Sequence, residues 1–181
     1  IYTVNLARAL AKLGHEVHLL CQDRRVKIDG VEIHNPDVHG LLPVYVKDPY
    51  EGFEVKTFSE LSERELDRYI DANVASVREV AGAVGGFDAA LAGHLVMGPC
   101  ILARAGIGEF AAKIHGSALE YTVKPDPRFI PYAEEGMRAM IADGTYDEMF
   151  NKFQRHKIEK LRLKERKILR IENPFLGPET P

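Results

Sequence analysis

Tyr2, Leu6, Ala9, Leu10 and Leu13 recur at the spacing of one helix face, and Gly14 follows where a helix cap belongs. After that amphipathic helix, Val17-His18-Leu19-Leu20-Cys21 is an apolar run of strand length, stopped by Gln22-Asp23-Arg24-Arg25. Val31 to His34 offers another brief strand after Asp29-Gly30. Helix and strand in quick succession predict α/β layering. Residues 35 to 58 carry Pro36, Pro43, Pro49, Gly40 and Gly52, which predict loops with short extended pieces. From Ser59 a helical stripe returns through Leu61, Leu66, Ile70, Val74, Val77 and Val80 and stops near Gly85-Gly86.

Beyond that long helix, a strand is expected from Asp88 to about Gly93, a short helix from about Pro99, and a further strand over Phe110 to His115. The alternation is that of a parallel sheet flanked by helices. Thr122 to Pro131 is punctuated by proline and reads as a loop, and Tyr132 to Ala142 as a helix. Thr145 and Glu148 have the spacing of a capping box, so a separate helix is expected there, continuing to about Arg166. Ile168 to Glu172 resembles a closing strand, and the proline-rich end from Asn173 is expected to lack regular structure. No internal repeat is visible.

A chain of 181 residues suits one domain, or one domain with an appendage, and 45% hydrophobic with 28% charged residues reads as a soluble globular protein. The formal charge of −3 gives no reason to expect nucleic acid, yet residues 151 to 170 are strongly basic and leave the remainder acidic. That run is a candidate for contact with an anionic membrane surface, although a solvated helix face is the preferred reading. Cys21 and Cys100 sit in apolar surroundings, which favours free buried thiols and points to the cytoplasm. No apolar run is long enough to span a membrane, and there is no charged leader with an apolar signal region. The chain starts without Met inside a helical pattern, so an upstream segment is expected.

The candidate chemistry gathers at Phe110 to Tyr121, where an apolar run breaks into His115-Gly116-Ser117. In open α/β sheets ligands bind at the carboxyl ends of the strands, and this turn occupies such an end. Gly116 would let the backbone approach a ligand closely, and His115 and Ser117 supply hydrogen-bonding groups. His94 follows the preceding strand, so two imidazoles are expected at the same sheet edge. Glu120 and Tyr121 come just after the turn, where they would hold sugar hydroxyls or merely begin a helix. A serine hydrolase is disfavoured, because Gly116-Ser117-Ala118 lacks the nucleophile elbow. His15-Glu16-Val17-His18 lacks the H-E-x-x-H spacing, and His34 with His39 has no nearby Cys, so no metal site is expected from the linear pattern.

Asn5 to Leu20, Asp88 to Pro99, and Lys113 to Arg138 together closely resemble the amino-terminal domain of the family 4 retaining glycosyltransferases of the GT-B fold. The resemblance covers residues 1 to 138. It implies a Rossmann-like, mostly parallel sheet flanked by helices, facing a second domain that grips a nucleotide diphosphate sugar. It further implies that His115, as the catalytic candidate, and Gly116 lie near the transferred sugar, with His94 and Ser117 beside them. The reaction would be transfer of a sugar to a hydroxyl acceptor with retention of configuration, requiring neither metal nor cofactor.

The chain departs from the family pattern in its opening strand and glycine-rich turn, in its donor-binding domain, and after about Arg138. A central strand missing from such a sheet would leave its neighbours to close up, recruit the tail strand or lose stability. Residues 139 to 181 instead resemble the carboxyl-terminal end of amino-acid-type extracellular solute-binding proteins, and are expected to form a helical tail with a short strand. The alternatives are therefore a solute-binding protein without enzymatic activity, or an inactive fusion fragment. With half of the cleft missing, the isolated chain is expected to show little or no transfer.

Overall fold

The computed structural model describes residues 2–142, 144–162 and 165. The chain divides into two compact units, the first ending at Tyr146 and the second beginning at Asp147. The first unit opens with α1 (Tyr2–Lys12), β1 (Val17–Leu20), β2 (Val31–His34), β3 (Leu41–Val44) and β4 (Glu54–Thr57). There follow α2 (Glu63–Val84), β5 (Ala90–Ala92), α3 (Gly98–Ala105), β6 (Phe110–Ala112), the single turn α4 (Gly116–Ala118) and α5 (Ile130–Ala142).

Among the described residues the strands form three separate parallel pairs, β1 with β2, β3 with β4, and β5 with β6, where the sequence predicts one sheet. Each strand is only three or four residues long, and β1 and β5 are not hydrogen-bonded to each other. A side chain bridges the two pairs instead, the ring of His18 on β1 lying 6.3 Å from that of Phe87 ahead of β5. The segment between residues 35 and 58, expected as loops with extended pieces, supplies the β3–β4 pair. Pro43 is tolerated in β3 because a two-stranded pair has only edge strands.

Helix α2 supplies the main apolar face. Leu66, Ile70, Val74, Val77 and Val80 are all buried, as the helical period requires. Its start is held by a reciprocal box: Glu65 accepts from the Ser62 backbone N–H at 2.9 Å, and the Ser62 hydroxyl accepts from the Glu65 N–H at 3.4 Å. At its other end Gly85 adopts φ 79°, a left-handed cap that a side chain would strain. Phe58, Leu61, Leu95, Val96, Met97, Ile101, Ala118, Phe129 and Ala133 complete the core around this helix. In α1 the stripe is displaced from the expected one: Ala7 is buried, whereas Tyr2 and Leu13 are exposed.

The stretch after Tyr121, expected to be a loop, is mostly helical. Leu119–Val123 forms a π turn and Pro127–Phe129 a 3-10 turn, leading directly into α5. Arg128 ties this stretch to the start of α2, donating to the Leu61 and Ser59 carbonyls at 3.3 Å and to the Glu63 carboxylate at 2.9 Å. Helix α5 runs unbroken through position 138, with Met140 buried beyond it. It lies against α3, where Arg104 grips Glu135 through two hydrogen bonds of 2.9 and 2.8 Å and the Cys100 thiol donates to the same carboxylate at 3.4 Å. Burial pushes the Cys100 thiol up to about 12, so it is an inert packing group.

Helix α6 (Thr145–Lys160) begins where the capping-box spacing places a helix start, and among the described residues from Tyr146 onward only Gln154 and Ile158 are even half-buried. The expected strand at residues 168 to 172 and the proline-rich end lie outside the described residues. Among the described residues, no helix is long and apolar enough to cross a membrane.

Two stability predictions follow from these contacts. A Cβ at position 136 would lie 2.3 Å from the Pro99 Cβ and 2.8 Å from the Cys100 backbone nitrogen. Alanine in a helix interior ordinarily gains about 1 kcal/mol over glycine, but overpacking of this kind costs about 1–3 kcal/mol and part of the obstacle is backbone. Gly136→Ala therefore lowers the urea midpoint, and an unchanged or raised midpoint refutes the close approach. Glu65 also accepts from Lys56 Nζ, and its carboxyl is held at about 2, first by that bond and then by the Ser62 backbone. A depressed carboxylate contributes stability above its ordinary value of 4.5 that is lost as pH falls toward 2. Equilibrium unfolding across that window should show an acid limb that Glu65→Gln flattens.

Candidate functional site

β5 and β6 run parallel, with Ala90 opposite Phe110 and Ala92 opposite Ala112, so both chains leave the pair at the same edge. The Lys113 N–H donates to the Ala92 carbonyl at 2.9 Å and extends this register one step further. His94 and His115 thereby meet, their ring centroids 4.8 Å apart at an interplanar angle of 43°. Tyr45, just past β3, lies against the other side of His94 with centroids 4.5 Å apart and donates its hydroxyl hydrogen to the Val96 carbonyl at 3.0 Å. Burial pushes the Tyr45 hydroxyl far up, so it stays protonated and serves as a donor.

His94 is followed directly by a deeply buried segment. Leu95, Val96 and Met97 are 3, 2 and 1% exposed, and Met97 takes φ 67°, ψ −41° as it opens α3. Such a backbone in a non-glycine residue costs on the order of 1–3 kcal/mol and persists where the surroundings over-determine it. Gly98 follows, and a Cβ there would be 2.8 Å from the Ala92 Cβ. The turn from β5 into α3 is thus packed tightly enough to fix where His94 stands.

The His94 Nδ1 is buried and, among the described residues, has no hydrogen-bond partner. Leaving such a group unsatisfied costs about 1–3 kcal/mol, which distinguishes it from a histidine that merely caps a strand. Burial, and secondly the adjacent His115, depress the His94 pKa below its ordinary 6.5. A neutral imidazole presents one donor and one acceptor, the pair of functions a hydroxyl needs.

The remaining sequence candidates fall around this pair. His115 is half-buried and in extended conformation, immediately preceding α4. Gly116 is exposed, its φ is not left-handed, and a Cβ there would meet nothing within 4 Å. The fold therefore makes no demand for glycine, and the open space beside it is room for a ligand. Ser117 is half-buried in the same turn. Glu120 is exposed and paired with Lys124 one helical turn on, and Tyr121 is 55% exposed. The π turn at Leu119–Val123 follows at once, with Thr122 buried and its hydroxyl oxygen without a hydrogen-bond partner among the described residues. π turns occur frequently beside functional sites.

Sequence reasoning missed Tyr45, Met97 and Thr122. Tyr45 lies 49 positions before His94, and no local pattern announces that contact. Tyr45 also borders an open groove of about 610 Å³ lined by Cys21 to Arg25, Leu42 to Val46, Tyr50, Glu51 and Phe53. The groove does not include either histidine, but Tyr45 joins its wall to their cluster. Comparison with protein-family models, characterised proteins and solved structures finds no match to this chain.

The depressed His94 has a measurable consequence. A histidine whose pKa falls on folding contributes stability above its unfolded value that is lost as pH drops through the folded one. Carbon-bound imidazole proton resonances should show His94 titrating below 6.5. His94→Gln should remove the matching part of the acid-side stability loss. A His94 resonance titrating at or above 6.5 defeats this prediction.

Proposed function

We propose that this chain is a glycosyltransferase-derived domain whose cleft wall, built around His115, receives a sugar hydroxyl. In the complete reaction, a hexosyl unit leaves a nucleotide diphosphate sugar and reaches a hydroxyl acceptor with retained configuration. The observation that carries this reading is the convergence of His94 and His115, 4.8 Å apart, at the carboxyl edge of a parallel strand pair. Ligands of open α/β sheets bind at that edge. The likeness of the residues around both histidines to the family 4 glycosyltransferases supplies the substrate class.

Each group has a part consistent with that chemistry. His115 touches the sugar and orients or stabilises charge as the transferred group moves, while neutral His94 supports it at the ring face. Gly116 leaves the backbone open to close approach, and Ser117, Glu120 and Tyr121 stand where hydroxyls would be held. Glu120 must share its carboxylate with Lys124 to take part, so its contribution is the smallest of these.

The test is binding, followed by substitution. Added mono- and oligosaccharides and UDP- or GDP-sugars should shift the imidazole resonances of His115 and His94, and free amino acids should not. His115→Ala should abolish the response while leaving the melting temperature nearly unchanged, as half-exposed substitutions ordinarily do. Gly116→Ala should weaken binding without destabilising the fold, because nothing within 4 Å opposes the added methyl. Saturable shifts with amino acids alone, or sugar shifts that survive His115→Ala, overturn the proposal.

A further inference from the structure

The geometry points to a second site on the other strand pair: His18, Glu32 and His34 form a binding site for a zinc-type divalent cation. The register creates it. In the parallel β1–β2 pair His18 stands opposite Glu32, and His34 is two residues further along β2 on the same face. His18 Nδ1 and His34 Nε2 are 2.9 Å apart, and Glu32 Oε2 lies 3.7 Å from the same His18 nitrogen. One ligand atom from each of the three residues falls within 4.8 Å of the others.

Two further features separate this group from a chance meeting of polar side chains. The His18 side chain is only 8% exposed, and its ring lies between His34, at a centroid distance of 5.2 Å, and Phe87. Behind it, Glu16 Oε1 accepts from His18 Nε2 at 3.1 Å. A carboxylate on the far nitrogen of an imidazole holds the proton there and leaves Nδ1 as a bare, more basic lone pair. This is the outer partner that metal-bound histidines ordinarily have.

The distances suit zinc with little movement. Zinc–nitrogen bonds of about 2.0–2.1 Å at a tetrahedral angle place two ligand nitrogens roughly 3.3 Å apart. The two nitrogens therefore need to part by only a few tenths of an ångström, with each ring turning its lone pair toward the cation, and the exposed Glu32 carboxylate has to swing in from within 4.8 Å. Without metal, His34 Nε2–H donates to the His18 lone pair. On binding, His34 moves its proton to Nδ1 and both nitrogens donate to the cation, with no net proton exchanged when both rings are neutral. Two imidazoles and one carboxylate are a zinc-type donor set with a position left for water, whereas magnesium and calcium call for all-oxygen sites.

The experiment is titration of the chelator-treated full chain with zinc(II), followed by nitrogen-15 resonances of the imidazoles. One equivalent should perturb His18 and His34 and raise the melting temperature, while magnesium does neither. His18→Ala and His34→Ala should abolish the response, and Glu16→Gln should weaken affinity roughly 10–100-fold. His15→Ala and His39→Ala should bind as the unaltered chain does. Should the His18 variant fail to fold, the wild-type imidazole resonances decide alone. No saturable binding, or perturbation confined to His39, His94, His115 or His156, overturns the proposal.

Discussion

Burial of Leu95, Val96 and Met97 beneath α2 is the constraint on which the candidate site rests. Gly93 and His94 separate β5 from these residues, which lie in the core and lead straight into α3 at Gly98, with Met97 taking a left-handed φ there. The strain is outweighed by apolar burial: enclosing a Leu, Val or Met side chain contributes about 1.5–3 kcal/mol each. His94 has no freedom to move away, because the residue after it is anchored. Among the described residues its Nδ1 has no hydrogen-bond partner, and its ring lies 4.8 Å from that of His115.

The helices around this segment keep it in place by different means. Helix α2 covers it with a regular apolar face, and Arg128 fastens the π and 3-10 turns to the start of that helix through two backbone carbonyls and a carboxylate. Helix α5 approaches α3 at Gly136, where the absent side chain lets backbone meet backbone, and the Arg104–Glu135 pair closes the gap beside it. The close contact is apolar and the ion pair partly exposed, so most of the hold comes from packing. This also explains why α5 continues past position 138 without a break, although the residue pattern changes character there.

What could be read from the sequence was what depends on local periodicity. The buried stripe of α2, its glycine stop, β1, β2 and the start of α6 all follow from spacing and capping residues. The meeting of His94 and His115 was also accessible, because two strands in a parallel alternation bring their ends to one edge. Contacts across strand pairs were not: Tyr45 reaches His94 through a β3–β4 pair that proline and glycine had disguised as loop. A missing central strand was expected to leave its neighbours to close up, recruit the tail strand or lose stability; between β1 and the start of β5 there is a His18–Phe87 ring contact. In α1 the period was right and the face was displaced, since small Ala7 packs closer than the larger residues that define the apolar stripe.

The two histidine pairs show why residue type alone could not assign chemistry. His94 and His115 meet ring against ring, and burial, with His115 second, depresses the His94 pKa, so His94 favours its neutral form. His18 and His34 meet through their nitrogens, with Glu32 alongside and Glu16 behind, so the surrounding charge is negative and suits a cation. The linear motif His15-Glu16-Val17-His18 was set aside for its spacing, and of its two histidines it is His18 that joins the group with Glu32 and His34. The partner of His18 lies sixteen residues away, across a parallel register, and only strand pairing brings it into reach. In this chain the same side chain sits in two unlike settings, beside another ring in one pair and beside carboxylates in the other.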